Sequence, residues 1–479
     1  MPGLGRRIGD TLHLPARRGK RIAVIGTALL VAVALGAGVG LGTPAIVAGL
    51  RAAGIGAPAI APPPPPVVPR LAVRPAATDG PAPTAAGIAA VLDPLADKGG
   101  FGTLSGRVVD PDAGTVLWQR SPSTALTPGS TAKLLTVSAA LLTLDHNATF
   151  HTKVVAGAQP GTVVLVGGGD PTLSSEPAGV ESVYPGAARL DDLVAQVRAA
   201  SPVPVRQVLV DVSRYSGDAF APGWSPGDVA GGDFAPIEPV MLDGGRADPR
   251  QVDSPRAAHP ASAAAAELAR RLGADPGSVA VGTAPPGARV LGDVSSASVE
   301  ELVTNLLNIS DNVLAEALAR QVAIATGAPP SFSGASSAVL SVLRQHGFHA
   351  GGTTMVDGSG LSVNDAVSAE LLTELLSAAA GPDTSRQRTV ELRPLLGGLP
   401  VAGGTGTLAD RYEGSSAEGR GWVRAKTGTL TGVSSLAGTV LDADGRVLVF
   451  ALLSNGPNPA DVRPRLDTLA AALRPCGCR

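Results

Sequence analysis

The first motif with potential for nucleophilic catalysis is S-T-A-K at residues 130–133. The preceding Thr127 and Pro128 are typical of a helix N-cap and first helical position, so the motif is predicted to open a helix. On that helix Ser130 and Lys133, three residues apart, share one face. A serine hydroxyl needs a base to take its proton, and a lysine acts as that base when burial lowers its pKa. Alone, the motif is equally compatible with an ordinary surface helix.

The second motif is S-D-N at residues 310–312. Alternate residues of an extended segment face the same way, so a break between two helices would let Ser310 and Asn312 point into one cleft. There the hydroxyl is suited to relaying a proton and the amide to holding a peptide. The same residue types also begin helices with no role beyond capping, so this motif is informative only beside others.

The third motif is K-T-G at residues 426–428, inside a predicted strand. A glycine in mid-strand often marks the close approach of a ligand or of another backbone segment, as Gly428 would. The Lys426 ammonium and the Thr427 hydroxyl together suit a substrate carboxylate. A protective lysine on an edge strand is the simpler alternative.

The elements that position these motifs follow from the surrounding hydrophobic patterns. Strand-like and helix-like patterns occur in the following segments: strands Leu104–Asp110, Thr115–Arg120, Gly421–Leu430 and Arg446–Leu453; helices Val299–Asn308, Asn312–Thr326 and Ala460–Leu473. Between residues 151 and 295, short β-like runs alternate with turns rich in Gly and Pro. The predicted fold class is α/β, an antiparallel sheet flanked by helices, with a β-rich insertion between the first two motifs.

In this order, on a helix start, an interhelix loop and a strand, the three motifs resemble those of β-lactamases and penicillin-binding proteins. About 180 residues separate Ser130 from Ser310, far more than a compact β-lactamase-like domain holds there. The chain therefore resembles the class C low-molecular-mass penicillin-binding proteins, the type-4 D-alanyl-D-alanine carboxypeptidases and endopeptidases of serine peptidase family S13. Four further stretches add to the resemblance: 168–173, 221–224, 357–362 and 399–403.

The resemblance implies a β-lactamase/transpeptidase-like domain and an acyl-enzyme mechanism. Ser130 would attack the carbonyl between two D-alanines, or a peptide cross-link, with Lys133 as general base. Ser310 and Asn312 would assist proton transfer and hold the peptide. Peptidoglycan stem peptides are the implied substrates, and β-lactam antibiotics the implied covalent inhibitors. Carboxypeptidase and endopeptidase activities use the same acyl-enzyme, and the sequence leaves both open.

The resemblance also assigns the substrate-binding groups. Lys426, Thr427 and Gly428 would take the terminal carboxylate. The backbone N–H groups of Thr429 and Ser130 would form the oxyanion hole, which is worth a few kcal/mol in such enzymes.

Two further positions bear on the stem-peptide side chain. Asp170, in the inserted segment, corresponds to the family residue that meets its free amine. The family's usual arginine after D-G-S-G-L-S is replaced here by Val363, whereas Asn364 keeps the family pattern. This departure suggests a substrate whose side-chain carboxylate is masked, for example by amidation.

Three other functions remain as alternatives. A class A β-lactamase would need a glutamate in an E-x-x-L-N pattern, but residues 301–305 read E-L-V-T-N, so slow deacylation and inhibition by penicillin are expected. Residues 223–227 fit the G-x-S-x-G elbow of α/β-hydrolases, which requires a strand before it and a helix after it. The third alternative is a catalytically inactive domain that only binds peptidoglycan.

The N-terminal composition indicates export. Residues 1–21 are basic, residues 22–50 form an uncharged run long enough to span a membrane, and residues 51–85 form a Pro-rich linker. The basic flank predicts that the remainder lies outside the cytoplasm, as a single-pass anchored or an exported protein. A signal anchor is favoured over a cleaved signal peptide by the length of the run. Residues 86–150 and 296–479 are predicted to form the peptidase domain around the 151–295 insertion.

Composition narrows the partners. Lys and Arg number 38 against 40 Asp and Glu, a net charge of −2, which lacks the basic footprint of a nucleic-acid binder. Cys476 and Cys478 are too few for a disulfide framework or a four-thiolate zinc site. None of the six histidines belongs to an H-E-x-x-H metal-binding motif. We therefore predict no nucleic-acid partner, no metal and no cofactor.

Overall fold

The computed structural model describes residues 80–382 and 387–475, with no side-chain detail for 387–389. The predicted basic segment, the apolar run and most of the Pro-rich linker lie outside the described residues, as do Cys476 and Cys478. Among the described helices, none is both long and apolar enough to cross a membrane.

The central sheet has five antiparallel strands in the order β2-β1-β10-β9-β8. Their bounds are β1 Thr103–Asp110, β2 Thr115–Arg120, β8 Val423–Leu430, β9 Val433–Leu441 and β10 Val447–Asn455. The first two predicted strands are β1 and β2, and the two later ones are β8 and β10. Strand β9 was not predicted. Strands from both ends of the described chain pair at β1 and β10 and so close the sheet.

Strand β10 is buried on both faces of this sheet. Val449, Ala451 and Leu453 belong to one apolar core, and the alternating Phe450 and Leu452 belong to the other. Because side chains alternate across a strand, a run of apolar residues like this one fits a strand with helices on both faces. The sheet is therefore the middle layer of a three-layer domain.

Eleven helices are present in the described part of the chain. Their bounds are α1 Ala85–Ala96, α2 Lys133–Thr143, α3 Leu190–Ala200, α4 Gly227–Gly231, α5 Pro260–Leu272, α6 Val299–Ile309, α7 Asn312–Ala325, α8 Phe332–Gln345, α9 Ala369–Ala380, α10 Gln387–Gly398 and α11 Pro459–Ala471. Helices α1 and α11 cover one face of the central sheet, and α2, α6 to α10 build the core on the other.

The helix predicted to begin at Thr127 begins later. Residues Gly129–Ala132 form a 3₁₀ turn, and α2 starts only at Lys133. Gly129 has a left-handed backbone (φ 53°), which an α-helix does not accept at that point. Thr127 caps nothing; instead its N–H donates to Asn455 Oδ1 at 2.9 Å. Predicted helices α6, α7 and α11 are found within a residue or two of the expected bounds.

The inserted segment carries its own sheet, ordered β6-β5-β4-β3-β7. The strands are β3 His151–Ala156, β4 Thr162–Gly167, β5 Gln207–Asp211, β6 Ala280–Val281 and β7 Val290–Ser295. Helices α3 and α5 pack against it around a separate apolar core. The segment is thus more helical than predicted, a mixed α/β unit rather than strands and turns.

Candidate active site

The Ser130 and Lys133 side chains are in contact. The Lys133 ammonium nitrogen Nζ lies 2.8 Å from Ser130 Oγ. The 3₁₀ turn that carries the serine is held by Thr131, whose Oγ1 donates to Pro128 O at 2.8 Å. Ser130 lines a cleft, whereas Lys133 is fully buried behind it. The hydroxyl is therefore accessible and the amine shielded from water.

Lys133 has two further partners, Asn312 Oδ1 at 2.6 Å and Ser359 O at 2.7 Å. Burial lowers the pKa of Lys133 to about 8, with Asp357 and Asp311 opposing the shift. A neutral amine has two N–H donors and one lone pair. When Lys133 is neutral and donates to Asn312 Oδ1 and Ser359 O, its lone pair is left for the third neighbour, Ser130 Oγ, as a general base requires.

Ser310 and Asn312 lie at the break between α6 and α7, as predicted, but the segment is a turn rather than extended. Ser310 ends α6 with a left-handed backbone (φ 63°), a conformation that costs a non-glycine residue about 1–2 kcal/mol. Asp311 then caps α7 through its Oδ1, which accepts from Leu314 N at 2.8 Å. Asn312 Nδ2 donates to Asp233 O at 2.8 Å, so both amide atoms of Asn312 are engaged.

Lys426 joins the third motif to the second. From β8 its Nζ donates to Ser310 Oγ and to Thr427 O, each at 2.8 Å. The side chain is fully buried, and burial, with repulsion from Lys133 and Arg411, holds its pKa well below the ordinary value. The Ser310 hydroxyl thus links Lys426 to the cleft.

Gly428 and Gly129 let two backbone segments touch. A Cβ on Gly428 would lie 2.3 Å from Pro128 O and 3.1 Å from Ser130 N, and a Cβ on Gly129 would lie 2.9 Å from Thr429 N. The backbone nitrogens of Ser130 and Thr429 therefore lie close together, where β8 meets the turn that carries Ser130.

A cleft of about 770 Å³ contains five of the nine predicted site residues: Ser130, Ser310, Asn312, Thr427 and Thr429. Lys133, Lys426 and Gly428 stand directly behind them, in the contacts given above. The three motifs therefore converge on one site.

Asp170 is the exception. It is 1% exposed and does not line the cleft. Its Oδ1 accepts from Thr172 N at 2.8 Å and from Thr172 Oγ1 at 2.6 Å, and burial raises its pKa to about 6. The structure thus places this residue in the interior, shortly after the end of the central strand β4, and does not bring it to the nucleophile.

Several cleft-lining residues were not predicted from the sequence. Those with charged or polar side chains or from the inserted loops include the following: Asp228, Asp233, Arg246, Val252, Asp253 and Arg256 of the inserted segment; Thr407, Arg411 and Arg463 of the C-terminal part. None belongs to a short motif, and the approach of the inserted loops to the cleft has no local signal in the sequence.

The D-G-S-G-L-S stretch forms the turn that supports Lys133. Asp357 accepts hydrogen bonds from the backbone N–H groups of Ser359 (2.9 Å), Gly360 (2.6 Å) and Ser362 (2.7 Å). Its Oδ2 also accepts from Trp224 Nε1 of the inserted segment at 2.7 Å. Two stretches that carried the family resemblance are therefore joined by one buried carboxylate.

The structure bears on two of the alternative predictions. No strand precedes residues 223–227, and Ser225 is exposed next to the five-residue helix α4, so the elbow of an α/β-hydrolase is absent there. Glu301 forms a capping box with Ser298 at the start of α6 and does not line the cleft. No group of His, Cys, Asp or Glu in the described chain is arranged to hold a metal ion.

The sequence is similar to those of known carboxypeptidases. The model of the D-Ala-D-Ala carboxypeptidase 3 (S13) family matches residues 88–258 and 250–474. A carboxypeptidase of Mycobacterium tuberculosis is 47% identical over 432 residues, covering 89% of this chain and 91% of that protein. The D-alanyl-D-alanine carboxypeptidase of Actinomadura sp. (strain R39) is 29% identical over 469 residues, covering 79% and 82%.

The fold has a solved counterpart. The crystal structure of penicillin binding protein 4 from Haemophilus influenzae superposes with a TM-score of 0.66 at 22% identity, covering 80% of this chain and 98% of that one. The fold class predicted from the motifs is thereby confirmed.

The chain belongs to the D-Ala-D-Ala carboxypeptidase 3 (S13) family. It is accordingly a serine-type D-alanyl-D-alanine carboxypeptidase, as the order and spacing of the three motifs predicted.

Proposed function

We propose that Ser130 is the nucleophile that cleaves the terminal D-alanyl-D-alanine bond of peptidoglycan stem peptides. Its Oγ attacks the carbonyl carbon while its proton passes to Lys133 Nζ, 2.8 Å away. The terminal D-alanine leaves as an amine after accepting a proton, and an acyl-enzyme ester forms. Water then hydrolyses the ester, with Lys133 again as base, and regenerates Ser130. The observation that carries the proposal is this contact between a hydroxyl that lines the cleft and a buried amine.

The remaining predicted residues have distinct roles in this proposal. The backbone N–H groups of Ser130 and Thr429 stabilise the oxyanion, which typically contributes about 3–4 kcal/mol per donor. Thr427, on the cleft wall, binds the substrate carboxylate with the positive field of the Lys426 side chain behind it. Ser310 relays the proton to the leaving amine, and Asn312 orients the peptide.

The same nucleophile makes β-lactams covalent inhibitors. Penicillin binding protein 4 of Haemophilus influenzae has been solved in complex with a β-lactam. In this chain Glu301 is occupied in capping α6 and lies away from the cleft, so it cannot activate a deacylating water. We therefore propose that penicillin acylates Ser130 and is released slowly.

The residue two positions after the cleft-lining Leu361 bears on which peptides are accepted. It is Val363, which is 57% exposed and therefore offers no positive charge to a substrate carboxylate. We propose a stem peptide whose side-chain carboxylate is amidated. Parallel hydrolysis of amidated and free-acid pentapeptides tests this, and equal kcat/KM values would contradict it.

We further propose that residues 22–50 anchor the enzyme in the membrane, with the catalytic domain on the extracytoplasmic face. Residues 51–85 would act as the spacer. The uncharged run and its basic flank support this arrangement. Membrane fractionation of the full chain, with and without residues 1–50, distinguishes an anchor from a cleaved export signal.

The test of the activity is release of D-alanine from a pentapeptide ending in D-Ala-D-Ala. The parent enzyme should release one equivalent, and Ser130→Ala should release none above background. A cross-linked peptide dimer assayed beside it reports endopeptidase activity through the same serine. Release of D-alanine by Ser130→Ala at the parent rate would overturn the proposal.

A further inference from the structure

A buried ion pair lies directly beneath the loop that carries Ser310 and Asn312. Arg246 Nη2 is 2.6 Å from Asp311 Oδ2, and neither side chain has any solvent exposure. Tyr184 OH donates to the same Oδ2 at 2.9 Å and accepts from Arg246 Nη1 at 2.6 Å. Three side chains, two from the inserted segment and one from the motif, thus form a closed triangle.

Asp311 uses both carboxylate oxygens at once. Oδ2 receives Arg246 and Tyr184, and Oδ1 caps α7 by accepting from Leu314 N at 2.8 Å. Burial alone would raise the pKa of Asp311, yet the arginines beside it hold that pKa well below the ordinary value, so the carboxylate stays charged. Its position between Ser310 and Asn312 means that fixing Asp311 fixes both neighbours.

The inserted backbone is shaped around this contact. Gly244 has a left-handed backbone (φ 64°), and a Cβ there would lie 2.3 Å from Tyr184 OH and 2.8 Å from Arg246 Nη1. Arg246 Nε also donates to Val252 O at 3.1 Å, which ties the ion pair to a loop of the cleft wall. Arg256, 4.0 Å from the Asp311 carboxylate, adds a second positive charge.

Ser310 needs such support because its left-handed backbone is unfavourable for a serine. The Ser310 hydroxyl accepts a hydrogen bond from Lys426 in the central sheet. Its immediate neighbour Asp311 is the point at which the inserted segment holds the same loop from the other side. The loop is therefore clamped between two parts of the chain that are far apart in sequence.

We infer that Arg246 and Tyr184 are positioning residues for the peptidase reaction, through which the inserted segment holds Ser310 and Asn312 against Ser130 and Lys133. The inference rests on the proposed function. It gives the segment a part in catalysis beyond forming a wall of the cleft. Loss of either contact should let the loop move, and misplacement of about 1 Å is enough to cost a reaction about 100-fold.

The test compares Tyr184→Phe, Arg246→Lys and Arg246→Met in the full chain. Acylation by a fluorescent penicillin is followed to separate the acylation rate constant from the affinity, and thermal unfolding is recorded for each variant. Tyr184→Phe keeps the ring under Arg246 and should slow acylation about tenfold. Arg246→Met should slow it about 100-fold, with partial rescue in Arg246→Lys because the charge is restored.

Two matched control variants alter other residues of the same inserted segment. Arg250→Met removes an arginine that is 66% exposed. Tyr215→Phe alters a second buried tyrosine, whose ring lies under Arg320 instead of Arg246. Both controls should acylate at the parent rate.

Parent-level acylation by folded Tyr184→Phe and Arg246→Lys would overturn the inference, even if Arg246→Met fails to fold. If these variants acylate at the same rate as the controls and only their melting temperature is lowered, the role of Tyr184 and Arg246 is purely structural. That result would also overturn the inference. A parent enzyme that penicillin does not acylate would instead refute the proposed function, so the two failures are distinguishable.

Discussion

Lys133 Nζ is 2.8 Å from Ser130 Oγ and is fully enclosed, while the serine opens onto the cleft. This relationship separates the base from water without separating it from the nucleophile. Because burial lowers the pKa of Lys133 to about 8, a much larger fraction of this amine is neutral near neutral pH than of an exposed lysine. Several predictions depend on this pair and on the groups that hold it.

The first prediction concerns pH. Burial lowers the pKa of Lys133 to about 8, and only the neutral amine accepts the serine proton. The acylation rate, expressed as kcat/KM, should therefore rise as pH increases, with a midpoint near 8, and level off above it. Stopped-flow acylation by penicillin across the pH range measures this limb. A rate that is flat or falls between pH 6 and about 9 would contradict the role of Lys133 as base.

The second prediction concerns the hydroxyl group and the left-handed backbone of Ser310. Ser310→Ala and Ser310→Gly both remove the hydroxyl that accepts from Lys426 Nζ, so both should acylate about 10–100-fold more slowly. The two variants should differ in stability, because glycine accepts the left-handed backbone (φ 63°) and alanine does not. Ser310→Gly should be more stable by about 1 kcal/mol in urea unfolding. Equal stability would show that the backbone conformation is not strained.

The third prediction concerns the junction of Gly428 with the nucleophile turn. In Gly428→Ala the new Cβ would meet Pro128 O at 2.3 Å and Ser435 Oγ at 2.1 Å. Forcing these segments apart should destabilise the protein by about 1–3 kcal/mol and sharply reduce acylation. Gly351→Ala is the matched control, since its Cβ would meet nothing within 4 Å. Normal acylation by Gly428→Ala would mean that the junction tolerates the extra atom.

The fourth prediction concerns Glu316, which lies on α7 close to Lys133. Its Oε1 accepts from Gly358 N at 2.8 Å. Burial and the nearby Asp357 raise its pKa from 4.5 to about 8, despite Arg320 at 3.7 Å. The folded protein therefore keeps a proton that the unfolded chain has lost. This stabilisation is complete below pH 4.5 and disappears as pH rises through about 8.

Glu316→Gln cannot ionise and keeps an oxygen for Gly358 N. Its free energy of unfolding relative to the parent should accordingly improve as pH rises from about 5 to 8. Asp357→Asn is the contrasting variant, because it disturbs the carboxylate that accepts from Trp224 and three backbone N–H groups. A stability difference between Glu316→Gln and the parent that does not change with pH would contradict a raised pKa.

Much of the site could be predicted because the chemistry is held in short, local motifs. Ser130 with Lys133, the S-D-N loop and Lys426 each lie on an element whose hydrophobic pattern predicted it, and the structure brings them together. The left-handed backbone of Ser310 was not predictable, because nothing in its residue type indicates it. The same holds for the 3₁₀ turn at Gly129–Ala132, which depends on contact with β8.

The features that could not be predicted from the sequence depend on contacts between residues that are distant in the chain. The Arg246–Asp311 pair spans 65 residues and has no local pattern. Asp170 was assigned from a stretch resembling the family, yet its burial is set by the packing of the inserted sheet. Helix α5 is a different case, because its signals were present: proline at its first position, a run of alanines, and Gly273 after its end.

The most direct test of Ser130 as the nucleophile is intact-mass analysis of the chain lacking residues 1–50 after reaction with a penicillin, with Ser130→Ala beside it. We expect a single adduct on the parent that persists for minutes to hours and is absent from the variant, and peptide mapping should locate it at Ser130. Rapid turnover of the penicillin would instead make the protein a β-lactamase. An adduct that forms equally on Ser130→Ala, or no adduct on the parent, would contradict the assignment of Ser130 as the nucleophile.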